Sequence, residues 1–399
     1  MKQIAIVGAG VSGLICALEL ERFGYSPVIF ESSSKIGGRV ATERVPTSKG
    51  EVLVDRGFQV LLTAYPEVER YLHLPSLNLQ KLDAAASVHL SNGKLQTIGD
   101  PLASLKWFWP SLSNSFSSLS DLWLMFRLQR HASRMTEEAI FTVPEQSTIS
   151  FLIDWGFSEK LIRNFFQPFY AGIFLEAELT TSVRMFLFVF KMFARGSASI
   201  PTQGMEQIAL HLSHQLERTT INLNKTIESE EALKTYDACV LPHSWTGRGP
   251  REWHECSNFI FEVECEVQPL NHLFLVPKSA GCAVNNYHYS AHTTAEGIVY
   301  LLNATSLNPH NPSEIRRELE EMTGLSNLQL RGHFHIPQAL PADAPMRAAP
   351  SISDLKGANG TYYLGDGMLY PSLNAAMKSG RLVASRIHTD FQALRNEDN

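Results

Sequence analysis

The feature that most restricts the fold stands at the start of the chain. Four apolar residues, Ile4 to Val7, run into Gly8-Ala9-Gly10-Val11-Ser12-Gly13, after which Leu14, Ala17, Leu18 and Leu20 recur at helical spacing. Glycine at these three places lets the backbone turn tightly after a strand, approach a ligand closely, and pack the next helix against that strand. Gly24 closes the helix, Pro27 keeps the chain extended, and Val28-Ile29-Phe30 reads as a second apolar strand ending at Glu31. This is a βαβ unit, so an α/β fold with a parallel sheet is expected. Amides at the helix N-terminus suit a pyrophosphate, and Glu31, eighteen residues past Gly13, can accept hydrogen bonds from ribose hydroxyls. Gly8, Gly10, Val11, Ser12, Gly13 and Glu31 are therefore candidate dinucleotide-binding residues. A carboxylate there repels a 2′-phosphate, which disfavours NADP.

Composition removes several other classes. With 34 Lys and Arg against 40 Asp and Glu in 399 residues, the net charge is −6, the wrong sign for a general nucleic-acid clamp. A chain that is 44% hydrophobic and 19% charged can bury large cores, and its length suits two domains or two interleaved ones. The five cysteines, Cys16, Cys239, Cys256, Cys265 and Cys282, are odd in number and contain no CxxC pair. They read as free thiols in a reducing compartment rather than as a disulfide framework or zinc site. Met1-Lys2-Gln3 leads straight into the apolar segment without a leader pattern, and the expected location is cytoplasmic. The apolar run from Met185 to Phe190 lies between Arg184 and Lys191, far short of the roughly 20 residues a spanning helix needs. Neither a Gly-x-Ser-x-Gly elbow nor a P-loop is present.

Farther along, the pattern changes near Leu82 to short strands, an Asn92-Gly93 turn and a serine-rich stretch from Ser111 to Ser120. A helix capped by Ser120-Asp121 is expected to run to about Met135, with further helices through Phe151 to Phe166 and from Met205 to Leu216. Strands are expected at Ile221 to Leu223 and Ala238 to Leu241, then an antiparallel excursion from about Phe259 to Pro341. A final helix should run from Asn374 to about His388, with the last nine residues frayed. The predicted organisation is a discontinuous Rossmann-like domain made of residues 1–82, 200–258 and 342–399, with an interleaved α+β substrate domain made of 83–199 and 259–341.

Two more motifs sharpen the function. Gly37-Gly38-Arg39 and Asp55-Arg56-Gly57-Phe58-Gln59 follow the first strand pair, and Gly365-Asp366, Ser372-Leu373-Asn374-Ala375-Ala376 and Ser379-Gly380 stand near the far end. Together with Glu31 they resemble the flavin-containing amine oxidase superfamily, which includes monoamine oxidases, protoporphyrinogen oxidases and phytoene desaturases. The resemblance implies one FAD, held non-covalently, with Glu31 on the adenosine ribose and Gly38-Arg39 by the pyrophosphate. It also implies that Gly57 and Phe58 approach the flavin ring, Asp366 meets the ribitol, and the backbone of Leu373 and Asn374 faces the flavin's N1–C2 carbonyl edge. Ile227 takes the place of a residue whose backbone meets adenine. The segment from Gln167 to Leu175 and the run Ile200-Pro201-Thr202-Gln203-Gly204-Met205 are similar to the desaturase and protoporphyrinogen-oxidase branch, although Gln203 stands where glycine is commoner. Ser372 departs from the monoamine oxidases, whose aromatic cage has one wall at that place, and Tyr370 is the nearby substitute.

The expected activity is therefore FAD-dependent dehydrogenation of a small apolar substrate, polyene, isoprenoid or tetrapyrrole-like, by hydride transfer to flavin N5. An amine oxidase and a non-catalytic flavin redox sensor are the alternatives. No catalytic side chain is assigned. Phe165, Phe166, Phe169, Tyr170, Phe174, Phe186, Phe188, Phe190 and Phe193 are expected to be mostly core, with some lining an apolar pocket. His288 with His292, and His333 with His335, have metal-compatible spacing but no third ligand, so no metal is expected. Lys106-Trp107-Phe108-Trp109 and the helix carrying Trp123, Phe126, Arg127, Arg130 and Arg134 suit either peripheral membrane contact or a cap-domain helix with a solvated basic face, the latter being favoured.

Overall fold

The computed structural model describes residues 2–246 and 252–397. Its N-terminal βαβ unit forms as the glycine motif requires: strand Ile4–Val7, helix Val11–Arg22, strand Val28–Phe30. These strands lie in a five-stranded parallel sheet in the order Thr220–Asn222, Val28–Phe30, Ile4–Val7, Ala238–Pro242, Thr361–Leu364. All four residues of Ile4–Val7 are buried, the mark of a central parallel strand covered on both faces. The strands come from three separated stretches of chain, so the Rossmann-like unit is discontinuous.

A seven-stranded sheet forms the second layer, in the order Gln329–Pro341, Trp253–Val263, Gly297–Ser306, Asn286–Thr294, Leu273–Leu275, Ala85–His89, Leu95–Gly99. It is antiparallel except where Leu273–Leu275 pairs with Ala85–His89. Helix Pro312–Thr323 lays Ile315 and Leu319 in one core with Phe261 and Leu302 of this sheet. The fold is α/β with an interleaved α+β unit. A larger core joins the parallel sheet to the helices of residues 119–195. Within it Phe186 packs its ring on Phe151, Phe166, Tyr170 and Phe190 at 4.8 to 5.7 Å or slightly beyond, up to 6.2 Å.

Several expected boundaries move. Strand Trp253–Val263 crosses position 258 and belongs to the seven-stranded sheet over its whole length, because Cys256 to Val263 are buried on both faces. Strand Ala198–Pro201 likewise spans 199/200, pairing with Leu61–Leu62 and Leu79–Lys81. Helix Leu119–Arg134 is capped by Ser118 rather than by Ser120: the Ser118 side chain accepts from the Asp121 amide and Asp121 accepts back from the Ser118 amide, a reciprocal box three residues apart. The third helix of the list above covers only Glu206–Ser213. The last helix continues from Leu373 to Glu397, because Ile387 and Phe391 are buried against the main core and hold its end. Among the described residues, no helix is long and apolar enough to cross a membrane.

Candidate active site

The chain's two ends meet around the first helix. Gly10 caps that helix with no side-chain bond, and no acidic residue stands in its first turn, so its amide donors suit an anion. A Cβ on Gly13 would lie 2.1 Å from the Gly8 carbonyl oxygen, and one on Gly380 would lie 2.2 Å from the Ser12 carbonyl oxygen. Only glycine at both places lets strand, first helix and C-terminal helix approach this closely. The loop carrying Gly37 and Gly38 folds back onto this turn: the Gly37 amide donates to the Ala9 carbonyl at 2.9 Å, and a Cβ on Gly38 would touch Gly10 Cα at 3.4 Å. Glu31 is 8% exposed, and its two carboxylate oxygens accept from the Ala9 and Ser33 amides, each at 2.8 Å. The oxygen facing Ser33 also accepts from Ser32 Oγ at 3.4 Å, and the one facing Ala9 keeps a further lone pair for a ligand hydroxyl.

Arg39 and Asp366, 327 residues apart, form an ion pair. Asp366 is buried, and its charge raises the Arg39 guanidinium above its ordinary value. Arg39 also donates to the Ala339 carbonyl at 3.2 Å and lies over the Trp253 ring. At the C-terminal helix, Ser372 Oγ accepts from the Ala375 amide. The buried Asn374 side chain accepts from the Glu67 amide at 3.0 Å and donates to Tyr370 Oη at 2.8 Å, while Tyr370 donates to Glu137. The Asn374 side chain is thus engaged in holding the helix start, and the part of Leu373 and Asn374 left for a ligand is backbone. Tyr370 is fully buried, its ring stacked on Phe141 at 4.4 Å, so it offers no open aromatic wall to replace the one missing at Ser372. Ile227 packs in a cluster with Ala5, Val7, Cys239 and Leu241 at the parallel sheet.

Gly57 and Phe58 line a cavity of about 80 Å³ together with Gln59, Gln80, Thr202, Asn258, Asn271, His288, Ser290, His292 and Asn303. The lining is mixed, because Leu53, Val54, Ile200 and Pro201 share it with these polar side chains. Strand Asn286–Thr294 alternates faces, so His288, Ser290 and His292 point to the same side. Ser290 Oγ lies 3.0 Å from His292 Nε2 and accepts from Asn303 Nδ2 at 3.1 Å. The Phe58 ring lies 4.4 Å from His288, whose pKa is pushed down to about 4 by burial and, secondarily, by His292. Three buried polar atoms of this lining, Gln59 Oε1, Asn258 Oδ1 and His288 Nδ1, have no protein partner. The one acidic group is Asp55, raised by burial although it accepts from Thr42 Oγ1 at 2.6 Å and the Met205 amide at 2.8 Å. Among the described residues, no lysine or arginine lines the cavity.

The aromatic set behaves differently from the expected apolar lining. Phe166, Tyr170, Phe174, Phe186 and Phe188 are buried against one another in the core, and none of the nine lines the cavity beside Gly57 and Phe58. A separate apolar recess with Ile173, Phe174, Met185, Leu340 and Pro371 measures only about 10 Å³. His333 stacks on Phe259 at 4.5 Å, away from His288 and His292, and among the described residues no three metal-ligating side chains gather. Sequence reasoning missed Gln59, Asn258 and Asn303 as cavity residues. The signal for the histidines was present, since spacing by twos along a strand places 288, 290 and 292 on one face, but Asn258 meets them only through long-range sheet pairing.

The profile of the flavin-containing amine oxidoreductase family matches residues 11–229, more than half of the chain. The chain belongs to that family. Its members carry FAD, and the residues here fit that cofactor: an uncapped helix N-terminus, a glycine cradle from both loops, and a buried carboxylate with a spare acceptor. Among curated relatives, the flavin-dependent L-tryptophan oxidase RebO of Lentzea aerocolonigenes is 35% identical over 71 residues, 18% of this chain and 15% of that protein. Protoporphyrinogen oxidase 2 of Arabidopsis thaliana is 34% identical over 67 residues, 17% of this chain and 12% of that one. The chain thus spans under a fifth of the length of these relatives. Cyclohexylamine oxidase from Brevibacterium oxydans superimposes with a TM-score of 0.64 at 13% identity, covering 98% of this chain and 99% of the other, a likeness of fold.

Proposed function

We propose that this family member is an FAD-dependent oxidoreductase acting on a small substrate that carries an N–H or O–H group next to the carbon it oxidises. The observation that supports this reading is the trio of unpartnered buried atoms, Gln59 Oε1, Asn258 Oδ1 and His288 Nδ1, around a cavity walled by Gly57 and Phe58. Buried polar atoms left without partners cost about 1 to 3 kcal/mol each, a cost a hydrogen-bonding ligand removes and a hydrocarbon does not. FAD, when bound, supplies the hydride acceptor. His288, neutral at physiological pH, would orient the substrate's N–H or O–H by accepting from it, and Gln59 and Asn258 would fix its other polar group. Loss of a hydride from carbon and a proton from the heteroatom leaves a C=N or C=O bond. Among the described residues no cation lines the cavity to meet an anionic substrate, whereas Asp55 suits a basic or neutral one. The five free thiols suit a reducing compartment.

Dehydrogenation of an apolar polyene, isoprenoid or tetrapyrrole is the second reading, favoured by the apolar recess beside Phe174 and Met185. That recess holds about one water as it stands, too little for such a molecule. Anaerobic mixing of the yellow holoenzyme with amines, amino acids and secondary alcohols, and separately with an apolar lipid extract, tests the choice. Bleaching of the flavin by a polar class, slowed about 2- to 10-fold in His288→Leu, is expected. Bleaching by the lipid extract alone would return the assignment to the apolar class, and no bleaching by any donor would favour a redox sensor.

A further inference from the structure

Eight of the sixteen large apolar side chains that the described residues expose fall between Leu102 and Phe126. Leu105, Trp109 and Leu119 are 82%, 74% and 75% exposed. Such concentration is not scatter, because soluble proteins rarely leave large apolar side chains clustered without a covering partner. Helix Leu119–Arg134 has two faces: Asp121, Leu128 and Ala132 are buried, while Leu119, Trp123, Phe126, Arg130 and Arg134 recur at spacings of three and four on the outer side. The outer stripe is apolar at its N-terminal half and cationic at its C-terminal half. It is held in place, since Asp121 also accepts from the Ser158 amide and hydroxyl at 2.8 Å, and Gln129 bonds Asp100, just ahead of Leu102. The expected solvated basic face is therefore only half of what this helix shows.

We propose that this face docks on an anionic bilayer surface, with Leu105, Trp109, Leu119 and Trp123 entering the interface and Arg127, Arg130 and Arg134 meeting lipid phosphates. Charge complementarity decides the occupant. Residues 102–134 carry four lysines and arginines against one acidic residue, the buried Asp121, in a chain whose net charge is −6. Lys106 is paired with Asp83, but Arg127, Arg130 and Arg134 are exposed and in no ion pair among the described residues. Aromatic rings with flanking arginines suit the headgroup level of a membrane. A second copy of the chain would bring the same arginines to the interface with no exposed acidic side chain in residues 102–134 to meet them, so self-association is the poorer fit.

Co-sedimentation of the FAD-loaded protein with phosphatidylcholine vesicles, with and without about 30% phosphatidylglycerol, reads the proposal directly. Binding is expected only to the anionic vesicles and should weaken with salt. Trp109→Ser with Trp123→Ser should weaken it at least about tenfold. Arg130→Gln with Arg134→Gln should weaken it about 25-fold, at about fivefold per cation near the surface. All four side chains are exposed, and should a variant nevertheless misfold, quenching of the unaltered protein's tryptophan emission by brominated phosphatidylglycerol reads insertion without substitution. Absence of binding, equal binding to neutral vesicles, or binding unchanged by both double substitutions overturns the proposal. A lipid-free dimer abolished by Trp109→Ser overturns it in favour of a second copy.

Discussion

Glu31 and Asp366 are both buried carboxylates, and each is held by at least one residue distant in sequence. Glu31 is anchored by the Ala9 and Ser33 amides, and Asp366 by Arg39. Hydrogen bonds to charged groups contribute about 1.5 to 3 kcal/mol, so Glu31→Ala and Asp366→Ala should each weaken FAD binding roughly 10- to 150-fold in an equilibrium titration of the apoprotein. A change below about threefold for both would remove them from the cofactor site. His288 gives a pH signature. Its folded pKa of about 4 lies below the ordinary imidazole value, so the stability tied to its neutral form is complete above about pH 6.5 and is lost as pH falls to about 4. The loss should reach about 3 kcal/mol, read as the change in unfolding free energy across that window, and His288→Gln should flatten the slope. Glu31 was singled out by its spacing from the glycine motif and Asp366 by the family resemblance, and the structure buries both. The cavity residues Gln59 and Asn258 were not, because nothing local marks an amide side chain whose neighbours come from another sheet.

Among the elements, the first helix and the C-terminal helix depend on one close approach. Gly380 leaves 2.2 Å between an imagined Cβ and the Ser12 carbonyl, so Gly380→Ala must push the two helices apart at the phosphate end. A destabilisation of about 1 to 3 kcal/mol is expected, with weaker FAD binding in the same variant, measured by denaturant unfolding and flavin titration. Unchanged stability and affinity would mean that the helices do not pack as described. Phe186 is a control from the aromatic core: Phe186→Ala should cost about 3 to 5 kcal/mol while leaving the cavity lining intact. Period and punctuation located most of these elements, since burial on one face writes itself into local spacing. The boundary at 258 and the extent of the last helix were misplaced for one reason: Trp253–Val263 and the helix beyond His388 are fixed by tertiary partners, the neighbouring strands and the core around Phe391, which leave little local trace.

At the scale of the whole molecule, the chain combines a discontinuous parallel sheet, whose strands come from both ends and the middle of the chain, with a cavity of mixed lining on the second sheet. The parallel sheet, its glycine turn and the C-terminal aspartate were readable because each is a local pattern with a chemical reason. The polar part of the cavity lining was hidden because its side chains come from distant strands, whereas of the nine aromatic residues that suggested an apolar pocket only Phe174 reaches a recess and the rest pack in or against the core. Cofactor binding should stabilise the fold by mass action, about 2.7 kcal/mol at a hundredfold excess of FAD over its dissociation constant. The most direct test of the central claim is the flavin content of the purified protein, split by acid precipitation into supernatant and pellet. The account predicts one FAD per chain, all of it in the supernatant, since no cysteine or histidine stands between Gly365 and Ser379 to form a covalent link. A protein that carries no flavin and takes none up, or a pellet that stays yellow, would contradict it.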